Sequence, residues 1–293
     1  MGPRVDIRDV GPRDGLQGER SVEPERRGEL IRRLIAAGLA DVEVAAFVSP
    51  RAVPSMAGAT DVVAAARASA AGTSVTLWAL VPNAKGAEFA LAAGVDHLTI
   101  TVSASAAYSA KNVHMTIDEA RSQVESIRAG APDAVLDEVI SCCFGSPFAG
   151  EVVTPADVGA LVGHARAAGV DRVTLADTTG MATPRRIADV LAVVGTDIGL
   201  HLHDTRGTAL VNAWSAIGLG VSRFDTALGG LGGSPFAPTA GGNLATEDLV
   251  MFLADMEYDT GVDLGALLDA GPLLADLVGH GLPSRVAAAG GIK

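Results

Sequence analysis

The 293-residue sequence predicts a (β/α)8 barrel, a TIM barrel carrying a short C-terminal helical extension. Three observations carry that expectation. Apolar runs of strand length alternate eight times with helix-period segments, at intervals of a few tens of residues. No G-x-G-x-x-G follows the first apolar run, which counts against the nearest alternative, a doubly wound open sheet. Only 4% of the residues are aromatic while Ala, Gly and Val abound, a bias that suits closely packed α/β layers. No linker composition interrupts the pattern, so residues 1–293 are expected to form one catalytic domain, with the extension over about 264–293.

Taken in order, residues 5–10 read as the first strand and run into G-P-R-D-G-L-Q at 11–17. Pro24 then opens a helix with Leu30, Ile31, Leu34 and Ile35 on one face, and Gly38 stops it. Residues 41–45 form the second strand, followed by a loop at 47–50 and a helix over 62–70. The third strand, 74–80, precedes a helix over 84–93 that Gly94 closes. The fourth, 96–102, leads through a long polar loop to a helix from about 116 to 129. The fifth spans 135–143, with its helix over 155–168. The sixth, 170–176, ends on Asp177-Thr178-Thr179-Gly180 before a helix over 184–194. The apolar run 197–200 enters H-L-H-D-T-R-G at 201–207, then a helix bearing Ala209, Leu210, Ala213, Trp214 and Ile217. Residues 223–227 are the eighth strand, and a helix starts near Thr246 after a glycine-rich stretch. Leu267, Leu268, Leu273, Leu274 and Leu277 mark the extension.

With 48% hydrophobic and 19% charged residues, the chain has the make-up of a soluble protein with a large core. A net charge of −12 argues against nucleic acid or an anionic membrane as partner, although a local basic pocket for an anionic ligand stays open. No uninterrupted apolar stretch is long enough to span a bilayer, and the charged N-terminus lacks a signal-peptide core. The two cysteines, Cys142 and Cys143, are adjacent, and strand neighbours point to opposite faces, so a bond between them is not expected. A reducing, cytoplasmic location follows as the expectation.

In this fold, working residues gather at the C-terminal ends of the strands. The polar residues at those places are Arg13, Asp14, Gln17, Glu43, Asp177, Thr178, His201, His203, Ser234, Asn243 and Glu247. His201 and His203 stand two apart, so both imidazoles point to one side. They are half of a metal site, or a pair satisfied by hydrogen bonds at a strand end. Joined by a carboxylate and an amide oxygen, they can hold a hard divalent cation with positions left for substrate. The lack of thiolate favours Mg2+ or Mn2+ and leaves Zn2+ open.

If Asp14 holds a metal, Arg13 is free to stabilise an enolate oxygen or grip a carboxylate; otherwise it is a salt bridge in the barrel mouth. Glu43 and Asp177 act in catalysis or hold Arg13 or a lysine in place, and Asn243 is a ligand or a turn or cap residue. His97, His114 and His164 have no partners at metal spacing and read as structural. The glycines of 229–237 and 240–243 suit a lid or a phosphate cradle, but no P-loop Lys-Ser/Thr pair follows.

Six ordered motifs add to this reading: V-G-P-R-D-G-L-Q (10–17), E-V-A-A-F-V-S-P (43–50), V-P-N-A-K-G (81–86), D-T-T-G-M-A-T-P (177–184), H-L-H-D-T-R-G (201–207) and G-N-L-A-T-E-D-L-V (242–250). With them the chain resembles, over nearly its whole length, the 3-hydroxy-3-methylglutaryl-CoA lyases of the DRE-TIM metallolyase superfamily. The resemblance implies a divalent cation on Asp14, His201, His203 and Asn243. It implies an enolate-stabilising Arg13, Glu43 and Asp177 in the polar catalytic shell, and Gln17 and Thr178 on the substrate. It also implies an acyl-CoA substrate, a homodimer and a place in leucine catabolism.

The implied reaction is a retro-Claisen cleavage of a tertiary 3-hydroxyacyl-CoA, giving acetoacetate and acetyl-CoA from the methylglutaryl thioester. The chain departs from the family at Ser234, where the glycine-rich loop carries a cysteine implicated in proton transfer; a hydroxyl is a far poorer acid than a thiol. Ser146 replaces a second family cysteine, and Arg206 a tyrosine. The loop before Lys111-Asn112 is alanine-rich where the family has Ser and Glu. Two other functions stay in view. A Claisen condensing enzyme or aldolase acting on a 2-keto acid fits the superfamily, though the glycine-rich loop match and the missing regulatory domain speak against it. A metal-binding homologue impaired in catalysis fits the serine replacements, though the retained Arg13, Asp14 and histidines oppose it.

Overall fold

The computed structural model describes residues 2–233 and 241–290. Eight parallel strands pair in chain order and close on themselves: β1 (Asp6–Asp9), β2 (Asp41–Ala46), β3 (Thr76–Leu80), β4 (His97–Ser103), β5 (Val135–Ser141), β6 (Arg172–Ala176), β7 (Gly199–His201) and β8 (Arg223–Thr226). The seam sets Asp6 beside Arg223 and Asp9 beside Thr226. Around the strands lie α1 (Pro24–Ala36), α2 (Ala59–Ala70), α3 (Ala84–Ala93), α4 (Ala106–Asn112), α5 (Ile117–Gly130), α6 (Pro155–Ala167), α7 (Pro184–Val194), α8 (Ala209–Leu219) and α9 (Thr246–Asp255). Two more helices, α10 (Leu264–Val278) and α11 (Arg285–Ala289), form the extension; α10 packs on α1 and α9, and α11 on α9. The expected (β/α)8 barrel is what the chain forms.

The wall and the interior of the barrel differ in chemistry. Val42, Val44, Leu98, Ile100, Leu136, Ile140, Leu175, Leu200 and Phe224 join helix residues such as Leu30, Ile31 and Leu34 in one continuous core. Each such side chain, fully buried, contributes ~1.5–3 kcal/mol. The alternate strand positions face inward and include many polar residues. Arg8 donates from Nε and Nη2 to Asp225 at 2.8 and 2.9 Å, and its Nη1 lies 2.8 Å from Asp137. The Arg8 and Arg172 guanidiniums lie 4.9 and 5.0 Å from the Trp78 ring centre, and the indole N–H donates to Asp41 at 2.7 Å. Helix starts are fixed locally: Asn83 accepts from Gly86 N, and Thr116–Glu119 and Thr154–Asp157 make reciprocal caps.

Several boundaries differ from the sequence expectation. β5 stops at Ser141 rather than 143 because Cys142 adopts a left-handed backbone (φ 60°) that ends the ladder. The long loop after β4 contains α4, whose start Ser105 caps by accepting Tyr108 N at 3.0 Å. Its seven residues are too few to carry a clear apolar period. β7 is only three residues long, and His203 lies beyond it in an antiparallel bridge to Asn243. Cys142 and Cys143 are both free and buried. Among the described residues, no helix is long and apolar enough to cross a membrane.

Glu138 lies on β5 next to the inward-facing Asp137, and neither of its carboxyl oxygens has a hydrogen-bond partner among the described residues. Burial, with the Asp137 charge adding to it and Arg121 opposing, pushes this acid from 4.5 up to about 8. The folded chain therefore binds the proton more tightly than the unfolded chain. Its contribution is greatest below about pH 4.5 and is lost as pH rises through about 8. Glu138→Gln should remove this loss. Its stability relative to the parent, read from urea midpoints, should grow between pH 5 and 8 by at most ~1.4 kcal/mol per pH unit. A difference that does not change with pH would refute the assignment.

Candidate active site and metal centre

β1 runs into a single turn of π-helix, Gly11–Gly15, whose N–H groups at Arg13, Asp14 and Gly15 all point to Val10 O at 2.7–3.2 Å. This tight turn sets Arg13 and Asp14 side by side at the C-terminal mouth of the barrel. The buried Arg13 donates from Nη1 to Asp14 Oδ1 at 2.7 Å and from Nε to Glu43 Oε2 at 2.5 Å. Glu43 on β2 is fully buried, and its second oxygen has no partner among the described residues.

Asp14 Oδ2 faces the histidines. It lies 3.9 Å from His201 Nε2, and His201 Nε2 lies 3.2 Å from His203 Nε2. Each ring is held from behind. His201 Nδ1 is 3.2 Å from Asp225 Oδ2, and His203 Nδ1 is 3.0 Å from Gly241 O. A carboxylate and a carbonyl only accept, so both Nδ1 atoms carry the proton, and in the neutral rings both Nε2 lone pairs face one another across the site. Asn243 closes the set: Nδ2 donates to Asp14 Oδ2 at 2.8 Å and to Leu231 O at 2.9 Å, leaving Oδ1 buried without a partner among the described residues.

The charges agree with the geometry. Burial alone would raise the Asp14 carboxyl, but Arg13 and His201 beside it and the Asn243 amide hold it below its ordinary value. Burial likewise opposes charge on His201, yet the hydrogen bond to Asp225 and the nearby Asp14 carry it above the ordinary value. His203 is pushed down to about 4 by burial and by His201. Two facing acceptor nitrogens, an ionised carboxylate and an orphaned amide oxygen fit a divalent cation. Among the described residues, Asp14, His201 and His203 are the one His/Cys/Asp/Glu group whose ligand atoms lie within 4.8 Å of one another. The donors are half nitrogen and half oxygen, with no thiolate.

Asp177 follows β6 directly beside this set, its N–H donating to His201 O at 2.8 Å. Its Oδ1 accepts from Met181 N and Ala182 N at 2.7 and 2.9 Å, while Oδ2 is buried without a partner among the described residues. Burial, against those two N–H groups, pushes it up to about 7, so it can exchange a proton near neutrality. Thr178 Oγ1 accepts from Cys142 N at 3.0 Å, tying the β5 and β6 loops together. Gln17 is half-buried one turn after Asp14, with its carbonyl accepting Ser55 Oγ at 2.7 Å. Ser234 lies outside the described residues.

Arg13, Asp14, Glu43, His201, His203 and Asn243 thus come together, with Asp177 just beyond the end of the adjoining β6. Asn243 is not a helix cap, since α9 starts from Ala245 without a side-chain cap. Glu247 accepts Gly229 N and anchors the glycine-rich segment instead of facing the site. His97 pairs with Asp96 and His164 with Glu125, in keeping with a structural role. Sequence reasoning missed Asp225 and Arg8. No signal within either strand singled them out, since β1 (D-I-R-D) and β8 (R-F-D-T) each hold several polar residues.

Two glycines let the segments converge. Gly232 (φ 109°) has no Cβ, and one placed there would lie 2.3 Å from Asn243 Nδ2. A Cβ on Gly242 would lie 1.8 Å from Gly230 O.

Known proteins resemble the chain over nearly its whole length. The HMGL-like family model matches residues 4–274. The (R)-citramalyl-CoA lyase of Chloroflexus aurantiacus is 41% identical, over 98% of this chain and 95% of its own. The 3-hydroxy-3-isohexenylglutaryl-CoA/hydroxy-methylglutaryl-CoA lyase of Pseudomonas aeruginosa is 38% identical, over 98% and 97%. The structure of an HMG-CoA lyase from Acinetobacter baumannii, in complex with coenzyme A and 3-methylmalate, is 36% identical with a TM-score of 0.90, covering 98% of this chain and 95% of that one. The chain belongs to the HMGL-like family and is a carbon–carbon lyase.

Proposed function

We propose that the protein is a divalent-metal-dependent retro-Claisen lyase. It cleaves a tertiary 3-hydroxyacyl-CoA like 3-hydroxy-3-methylglutaryl-CoA into a keto acid and acetyl-CoA. The observation that carries this reading is the convergence of Asp14, His201, His203 and the orphaned Asn243 Oδ1 beside a buried arginine. A cation held by those four residues, Mg2+ or Mn2+ by the donor chemistry, supplies the Lewis acidity that acidifies a substrate hydroxyl. Asp177 Oδ2 takes the hydroxyl proton. The electron pair of the O–H bond forms the new C3 carbonyl, and the C2–C3 pair passes to C2 as a thioester enolate. Arg13 stabilises the enolate oxygen, and Glu43 holds the guanidinium in place. A proton returned to C2 completes acetyl-CoA.

Gln17 and Thr178 border the space for the acyl group. Ser234, the sequence candidate for delivering the C2 proton, has the weaker acidity of a hydroxyl. The same reading takes residues 1–293 as one catalytic unit, a cytoplasmic homodimer acting on acyl-CoA. The C3 substituent is the open variable: carboxymethyl gives acetoacetate, whereas the citramalyl thioester of the 41%-identical relative carries a carboxylate there and gives pyruvate.

Purified protein given either thioester with Mg2+ or Mn2+ should release acetyl-CoA together with acetoacetate or pyruvate, and EDTA should abolish the release. Absence of acetyl-CoA from both substrates would sink the proposal. Asp14→Asn or His203→Ala should eliminate metal-dependent turnover with far-UV circular dichroism unchanged. Asp177→Asn and Arg13→Lys should each lower kcat by ~10²–10³-fold while Mn2+ affinity stays within a few-fold of the parent. Retention of full turnover in any of these four variants would remove that residue from the mechanism.

A further inference from the structure

Three neighbouring strands carry Arg8, Asp225 and His201 at one level inside the barrel. Asp225 on β8 is in register with Arg8 on β1 and with His201 on β7. All three side chains are buried. We propose that Asp225, clamped by Arg8, is the positioning residue that sets the orientation and tautomer of His201, so that Nε2 is presented to Asp14 and His203. This rests on the metal-site reading above and goes beyond its four ligands.

The geometry supports it in three ways. The Asp225 carboxylate cannot turn, because Arg8 grips both oxygens in a fork, Nε to Oδ1 and Nη2 to Oδ2, at 2.8 and 2.9 Å. Arg8 is itself fixed, with Nη1 against Asp137 at 2.8 Å and the Trp78 ring centre 4.9 Å away. Asp137 is held in turn by Thr174 Oγ1 at 3.0–3.1 Å. The oxygen left facing upward, Oδ2, meets His201 Nδ1 at 3.2 Å. An acceptor-only carboxylate at that nitrogen requires Nδ1–H, and the lone pair is then on Nε2, on the side of Asp14. His203 has no such support; its Nδ1 is held by the Gly241 carbonyl. The two imidazoles are therefore anchored differently, one by the rigid interior of the barrel and one by a loop.

Two measurements on the full chain test this. The first is Mn2+ binding, followed by the EPR signal of free Mn2+, for the parent, Asp225→Asn and Asp225→Glu. An asparagine can offer an N–H to Nδ1 and so permit the wrong tautomer; its Mn2+ affinity should fall about 10–100-fold with circular dichroism unchanged. Glutamate should recover part of the loss. The second needs no variant: long-range 1H–15N correlations of the histidine rings in the parent at pH 8.5, without metal and with saturating Mg2+, should show His201 as the Nδ1–H tautomer. An Nε2–H tautomer for His201, or Mn2+ affinity of Asp225→Asn within threefold of the parent, would overturn the proposal. Should the parent itself bind no Mn2+, the metal-site reading fails, and the ring tautomer still decides what Asp225 does to His201.

Discussion

The site depends on how the barrel closes. Arg13 and Asp14 follow the first strand, whereas His201, His203 and Asn243 follow the last two, and only the β8–β1 seam brings these ends of the chain together. The seam is held by more than its ladder. Asp9 accepts from Gly11 N at 2.8 Å on one oxygen, and from Leu228 N and Thr246 Oγ1 at 2.9 and 2.6 Å on the other. One carboxylate thus ties the turn bearing Asp14 to the base of the segment that leads to Asn243. The Arg8–Asp225 pair crosses the same seam from the inside. Buried ion pairs add little net stability, yet removing one partner costs about 3–5 kcal/mol. Their effect here is to admit one register between β8 and β1 and to exclude the others.

Much of this was legible in the sequence. The eight repeats of strand and helix fix the architecture because each apolar run must lie between two layers, and the strand-end rule then collects Arg13, Asp14, Glu43, Asp177, His201, His203 and Asn243. What escaped has a physical reason in each case. α4 is one short helix set by the Ser105 cap, below the length at which periodicity shows. β5 ends early through a left-handed Cys142, a conformation that no residue type at that place announces. Arg8, Asp137 and Asp225 were invisible as a group because they are brought together by barrel register, and register is not written in any one segment. Asn243 reads as cap or ligand from the sequence; the Ala245 start of α9 removes the cap, and the bridge to His203 sets Asn243 beside the histidines.

The names of the relatives show what the family holds constant and what it varies. The Chloroflexus and Pseudomonas proteins are named for coenzyme A thioesters that differ in the group on C3. In this chain the groups proposed for bond cleavage are supported from below, by strands and by the charged interior. Thr178, Gln17 and Arg206 stand on the loops above; Arg206 donates to the carbonyls of Thr179 and Gly180. With chemistry on strand ends and selectivity on loops, as proposed, the two would change separately.

The close approach of Gly242 to Gly230 makes the glycine-rich segment a loop pinched at its neck. Asn243 N and Nδ2 both return to Leu231 O, at 3.2 and 2.9 Å, so entry and exit strands touch before any residue of the tip begins. The entropy of closing such a loop grows only logarithmically, ~0.6 kcal/mol for each doubling of length. Residues added or removed between positions 233 and 241 would therefore cost little and leave Asn243 in place. The neck insulates Asn243 from the evolution of the segment it closes.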